Sequence, residues 1–348
     1  MEIVVDNLKE QYAQLKASAP VRIRDAAKQL GVKEVDLLAL GCGETVTRLR
    51  PEFKEILSEV ESLGYVMALT RNEECVHERK GVYLNGDFSS PHAQLFVGKD
   101  IDLRIFLSVW ASAFAVSEDS QIGIRHSLQF FGKDGNAVHK IYMTDKSNLE
   151  AFHALAEKYK SDDQSHTQEV DRTEKPPVAE LPDSEIDVNG FRESWINLKD
   201  THEFYGMLRK FRVTRTQALR LAPEGDYAQK LDHLALRRTL NLSAERQVPI
   251  MVFVGNPGMI QIHTGEIKNI VDHGPFINVM DSEFNLHLKE NTIVESWIVR
   301  KPTEDGIVTS LELFNDKGDL IASLFGARKP GVPELESWRQ VMKDIVIA

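Results

Sequence analysis

Cysteine is nearly missing from this chain. Cys42 and Cys75 are the two in 348 residues. Two thiols cannot build a disulfide framework or a four-cysteine metal site, and so low a content suits a reducing cytosol. Long apolar runs are absent as well. The stretch "VPIMVFVG" (248–255) is among the longest, and a membrane-spanning helix needs about 20 such residues. The start, "MEIVVDNLKEQYAQL", has no basic segment followed by an apolar core, so no secretory signal is expected. Positive charge is in deficit: 42 Lys and Arg against 53 Asp and Glu leave a net charge of -11. Such a chain is a poor non-specific partner for nucleic acid or anionic membranes. There is no GxGxxG after a strand, no P-loop, no HExxH and no GxSxG turn. With 42% hydrophobic and 27% charged residues the chain can still build sizeable cores. The expectation is a soluble cytoplasmic protein without membrane insertion.

What the sequence does contain is a second copy of itself. "DIDLRIFLSVWASAFAV" (Asp100–Val116) aligns without a gap on "EFNLHLKENTIVESWIV" (Glu283–Val299). "IRHSLQFFGKDGNAVHKIYM" (Ile124–Met143) aligns on "IVTSLELFNDKGDLIASLFG" (Ile307–Gly326). "LKEQYAQLK" from Leu8 lies opposite "FRESWINLK" from Phe191. All three pairs share one offset, 183 positions (283 less 100, 307 less 124, 191 less 8). Two units of domain size follow: 1–159, then 191–348, joined by 160–190. That joining stretch is rich in charge, Pro and Ser and reads as a flexible linker.

Each copy follows one plan. Helices come first, predicted at 6–18, 21–30 and 34–40, then again at 191–199, 201–211 and 214–222, with Thr214 as an N-cap. Strands follow, including a hairpin around Lys-Asp-Gly in the first copy and Asp-Lys-Gly in the second. A helix closes each copy. Successive strands without alternating helices predict large antiparallel sheets, an α+β class in tandem repeat.

Differences between the copies mark where function was added to one of them. His202 lies in "NLKDTHEFYGMLRKF" (197–211), where Asp200 and Glu203 have capping-box spacing and apolar residues recur at helical intervals. The positive end of a helix dipole disfavours an imidazolium, and a neutral imidazole is a good metal ligand. A solvent-facing histidine at a helix start is the plainer reading. Arg104, between apolar neighbours in "IDLRIFLSVW", stands opposite His287. It reads as a snorkelling edge-strand arginine or as a group aimed into a cleft. Cys75 and His77 in "ECVHE" lack a second ligand pair for zinc. "RIRDAAKQLGVKEVDLLAL" (22–40) has a helix-turn-helix rhythm. Its second helix carries Lys33, Glu34 and Asp36 rather than a basic face, which argues against nucleic acid.

Together, "DLRIFLSVW", "WINLKDTHEFYGML", "VFVGNPGMIQIHTGEI", "FNLHL" and "SLFGARKPG" resemble the cytoplasmic haem-utilisation family of Gram-negative bacteria, the HemS, HmuS and ChuS type. The resemblance covers nearly the whole chain. It implies a haem cleft in the C-terminal half, with helices above and a sheet below. By position in "LKDTHEF", His202 would ligate the iron, a common axial arrangement. By position in "DLRIF", Arg104 would act on the opposite haem face. Arg215, Lys301 and Arg328 would hold the propionates. It further implies either oxidative haem degradation, with haem as both ligand and substrate and an external electron donor, or a carrier role. The carrier would take haem from an importer and pass it to a separate haem oxygenase. His263 and His287 stand as alternative ligands, and His77, His92, His126 and His139 as material for a second site.

Overall fold

The computed structural model describes residues 5–120, 123–173, 179–329 and 331–347. The first half runs α1 (Val5–Ser18), α2 (Ile23–Leu30), α3 (Glu34–Ala39), β1 (Val46–Leu49) and α4 (Phe53–Glu59). It continues with β2 (Gly64–Arg71), β3 (Cys75–Gly81), β4 (Gly86–Asp87), β5 (Gln94–Val97) and β6 (Asp102–Ile105). Then come β7 (Trp110–Ser120), β8 (Gly123–Gly132), β9 (Ala137–Ser147) and α5 (Leu149–Lys158).

The second half repeats this order: α6 (Val188–Ile196), α7 (Glu203–Phe211), α8 (Arg215–Arg220), β10 (Ala228–Leu231) and α9 (Ala235–Glu245). It goes on with β11 (Ile250–Asn256), β12 (Met259–Gly265), β13 (Ile270–His273), β14 (Phe276–Met280) and β15 (Phe284–Lys289). It ends with β16 (Glu295–Thr303), β17 (Gly306–Phe314), β18 (Leu320–Gly326) and α10 (Glu336–Ile347). The α+β class and its duplication stand as the sequence predicts. In the first half the strands run β1-β7-β8-β9-β2-β3 within one nine-stranded sheet and β6-β5-β4 within another. Adding nine to each number gives the second half: β10-β16-β17-β18-β11-β12 and β15-β14-β13. The paired hairpins turn on glycines at positive φ, Gly135 (φ 76) and Gly318 (φ 77). Asn315 Oδ1 accepts the N–H groups of Lys317 and Asp319 and so closes the second turn. Two helices, α4 and α9, were not foreseen. The signal was present in "ALRRTLNLSAE", where Ala235, Leu236, Thr239, Leu240 and Ser243 bury one helical face.

Compactness divides the chain into two units that exchange short segments. One comprises 1–71, 78–174 and Gly255–Gln261; the other comprises Asn72–His77, 175–254 and 262–348. Within the first, Trp110 Nε1 donates to Gly258 O at 3.0 Å, and Met259 is buried in that unit's core. Within the second, Cys75 joins the core formed by β11, β15, β17, β18 and α10. Both cysteines are buried and unbridged.

Residues 161–173 carry no regular secondary structure, yet several of their polar groups bond to the first unit. Arg48 donates to Ser165 O at 2.9 Å and Thr167 O at 2.6 Å, and Arg172 forms a fork onto Asp36 at 3.0 and 2.8 Å. All six residues of α3 are buried, and Glu34 takes a 2.5 Å bond from the buried Lys140. A helix so enclosed presents no face to a DNA groove, which gives the helix-turn-helix rhythm a structural role in packing.

The first unit also buries a histidine between two hydroxyls. Thr70 Oγ1 lies 2.8 Å from His139 Nδ1, and Tyr83 Oη lies 2.6 Å from Nε2. Burial lowers the His139 pKa to about 3. The unfolded chain, with an ordinary imidazole near 6.5, therefore binds the proton first as pH falls. The stabilisation from neutral His139 is complete above about pH 6.5 and is lost progressively towards pH 3, by up to about tenfold in the folding constant per pH unit. Thermal melts of wild type and His139→Gln across this window are expected to differ in slope, with the variant flatter.

Candidate functional site

Helix α7 buries Phe204, Met207 and Leu208, the i, i+3, i+4 face. Phe204 packs edge-on against Trp195 of α6 with ring centroids 4.7 Å apart. Trp195 Nε1 in turn donates to Arg300 O on β16 at 3.0 Å, fixing α6 to the sheet. The helix ends at Arg212, a left-handed cap with φ 58. Thr214 then caps α8 by accepting from Gln217 N, as its position predicts.

The helix start differs from a simple capping box. His202, not Asp200, is the N-cap residue, and its φ/ψ of -69/-26 are already helical. Glu203 Oε2 accepts from Lys199 N at 2.9 Å and Asp200 N at 3.4 Å, the backward half of the box. The forward half is replaced by an Asx turn: Asp200 Oδ1 accepts from His202 N at 2.7 Å and meets His202 Nδ1 at 2.6 Å. The His202 backbone N–H is the main cause holding the Asp200 carboxyl below its ordinary range, ahead of the opposing effect of burial. The imidazole itself is 90% exposed. With Nδ1 engaged by a carboxylate, Nε2 is the nitrogen left for a ligand. This carboxylate–histidine pairing is the usual device that fixes tautomer and orientation in a metal ligand.

Two further segments are linked to this helix start. Glu304 N donates to Lys199 O at 3.0 Å from the β16–β17 turn. Asp305 in that turn accepts from Arg328 Nη2 at 3.2 Å and Gly331 N at 2.9 Å. The Arg328 charge is the smallest of the causes that lower the Asp200 carboxyl. Arg328 lines an open, mostly apolar recess with Thr264, Ala327, Lys329 and Val332.

Arg215 and Lys301 are brought together, but on a protein carboxylate. Arg215 Nε and Nη2 each donate to Glu312 at 2.8 Å, and Lys301 Nζ donates to Glu312 Oε1 at 2.8 Å. Glu312 is fully buried and Lys301 is 3% exposed. Burial opposes ionisation of Glu312, but the two cations outweigh it and hold the carboxyl well below its ordinary range. Lys301 also sits 4.5 Å from the Phe204 ring centroid, so the triad supports α7 from beneath. Glu312 was missed in the sequence because "SLELF" alternates like a half-exposed strand, whereas Val308 to Phe314 are all buried.

Arg104 belongs to the other unit. On β6 its Nη1 pairs with Asp102 and donates to Leu103 O at 3.1 Å. About a third of its side chain is exposed. The remaining histidines divide by environment. His77 and His263 are buried against Phe284, the latter stacked at 3.8 Å. His287 Nδ1 meets Asn278 Oδ1 at 2.7 Å, His126 Nδ1 meets Ser117 Oγ at 2.8 Å, and His92 is exposed. Among the described residues no group of three or more His, Cys, Asp and Glu could hold a metal ion, and no helix is long and apolar enough to cross a membrane.

This duplicated architecture matches a known family. The model of the haemin-degrading HemS.ChuX domain family fits residues 31–159 and again 212–345. The chain belongs to this family. It is 40% identical over 334 residues to the hemin transport protein HemS of Yersinia enterocolitica, covering 95% of this chain and 94% of that one. The crystal structure of holo-PhuS, a heme-binding protein from Pseudomonas aeruginosa, superposes with a TM-score of 0.94 at 44% identity, covering 97% and 98% of the two chains. ChuS, described as an E. coli heme oxygenase, superposes at 0.87 with 33% identity, covering 98% and 99%.

Proposed function

We propose that this chain binds haem in the cytoplasm through His202 Nε2 and opens its ring oxidatively to release iron. The observation that carries this reading is the His202–Asp200 pair. An exposed imidazole whose Nδ1 is held by a carboxylate offers Nε2 as an iron ligand of fixed tautomer and orientation. Bound haem supplies iron chemistry with oxygen, given electrons from an external donor. The protein contributes orientation and charge. Arg328, paired with Asp305 in the turn whose Glu304 N–H bonds Lys199 O, suits a propionate carboxylate. Arg215 keeps Nη1 outside its pairing with Glu312 and can take a second carboxylate. Lys301, enclosed on Glu312, serves that site by helping to hold the carboxylate that orients Arg215. Arg104 is assigned to the opposite haem face, an assignment that rests on the family resemblance and on a guanidinium that is partly exposed.

The second reading is a carrier that takes haem from an importer and delivers it to a separate haem oxygenase. It is favoured by the transport name of the Yersinia relative, whereas the ChuS description favours the enzyme. The haem-loaded chain under ascorbate with catalase present separates the two. Loss of the Soret band with growth of a linear-tetrapyrrole spectrum is the expected result, and a stable spectrum leaves the carrier. Arg104→Ala is expected to retain haem but shift the ferric spectrum and slow turnover by about tenfold or more, the scale of losing one positioned donor. Wild-type behaviour in both would remove Arg104 from the site.

A further inference from the structure

Gly206 occupies the middle of α7, where glycine costs helix stability relative to alanine. Its φ is not positive, so no left-handed turn requires it. It is exposed, and a Cβ built on it meets nothing within 4 Å. Neither backbone geometry nor internal packing accounts for it. Its position is informative: it lies four residues after His202, whose own backbone is helical, so the two share one face. Side chains on a helix lean towards its N-terminus. Any side chain at 206 would therefore lean towards the His202 imidazole. Tyr205, 65% exposed, flanks this spot, with the Arg209 guanidinium 5.1 Å from its ring centroid.

The geometry points to Gly206 as a clearance residue that lets a flat, rigid macrocycle lie along α7 while its metal sits on His202 Nε2. This rests on the haem reading above and deepens it. A compact ligand of the imidazole needs no such space. A planar macrocycle extends past the adjacent helical turn, about 5.4 Å away, and meets whatever stands there. Gly206 is thus a specificity-determining position selecting planar ligands, gained at the expense of helix stability.

The test uses the full chain as wild type, His202→Ala, Gly206→Ala and Gly206→Leu. Haemin titration gives affinity, thermal melting gives stability, and diethyl pyrocarbonate labelling read by mass spectrometry reports access of a compact reagent to His202. Gly206→Ala is expected to melt higher yet bind haemin more weakly, and Gly206→Leu to weaken binding by about tenfold or more. His202 labelling should be equal in wild type and both Gly206 variants. Wild-type haemin affinity in Gly206→Leu, with His202→Ala weakened, overturns the clearance role alone. Weakened binding with an equal loss of labelling also overturns it, because the helix start would then have changed. No saturable binding by wild type overturns both the clearance role and the haem reading.

Discussion

Haemin titrated into His202→Ala is expected to bind at least about a hundredfold more weakly than to wild type, with a displaced Soret band; outer partners of metal-bound histidines alone are typically worth ten- to a hundredfold. The size of the effect follows from the site's economy of ligands. The segment 197–211 contains no other histidine, and Thr201 and Glu203 flank it, so no neighbouring imidazole can take over. The companion Asp200→Asn should fall between the two, since an amide can still accept from the His202 backbone but no longer supports the ring with charge. Equal affinity in wild type and His202→Ala would move the iron ligand elsewhere. The half-buried His287 would then be the first alternative to test.

Replacing Glu312 by Gln is expected to give the largest stability loss, roughly 3–5 kcal/mol by analogy with other broken buried ion pairs, read as a lower urea midpoint. The carboxylate is fully buried between Arg215 and Lys301, and Lys301 has almost no access to water. Arg215 is 27% exposed and can rehydrate, so most of the loss comes from stranding the lysine. Adding Lys301→Met to Glu312→Gln should recover much of the loss, and the coupling in that double-mutant cycle isolates the pair. Additive losses would show that the triad is not an energetic unit. The pH dependence has a definite sign. Glu312 is held below its unfolded value, so its contribution is complete above about pH 4.5 and fades as pH falls below that.

Much of the architecture is legible in the sequence because a duplication tests itself. Residues that keep one offset across three blocks must be serving one scaffold, and helix ends such as Thr214 and the glycine hairpins obey local chemistry. The site is only partly legible, for a reason visible at Asp200 and Glu312. A capping-box spacing fixes that a helix begins nearby, but not whether the carboxylate serves a backbone N–H or an imidazole. Likewise, alternating polar residues on β17 do not reveal that both faces of the strand are covered. That burial turns Glu312 from a surface charge into the anchor for two cations. Composition likewise does not show that, in 161–173, some polar groups have specific partners on the first unit.

The exchanged segments bear on how such a chain is made. Residues emerge from the ribosome in order, so the first half is finished long before Gly258 and Met259 appear. Until then Trp110 lacks the carbonyl that its indole donates to, and the backbone N–H of Phe106 lacks the same acceptor. The second half in turn draws on Glu74, whose carbonyl accepts Lys289 N, and on Asn72, which donates to Ile321 O. Neither repeat is complete on its own stretch of translated sequence. The duplication has thus traded segments, so that each compact unit is finished by residues translated with the other half.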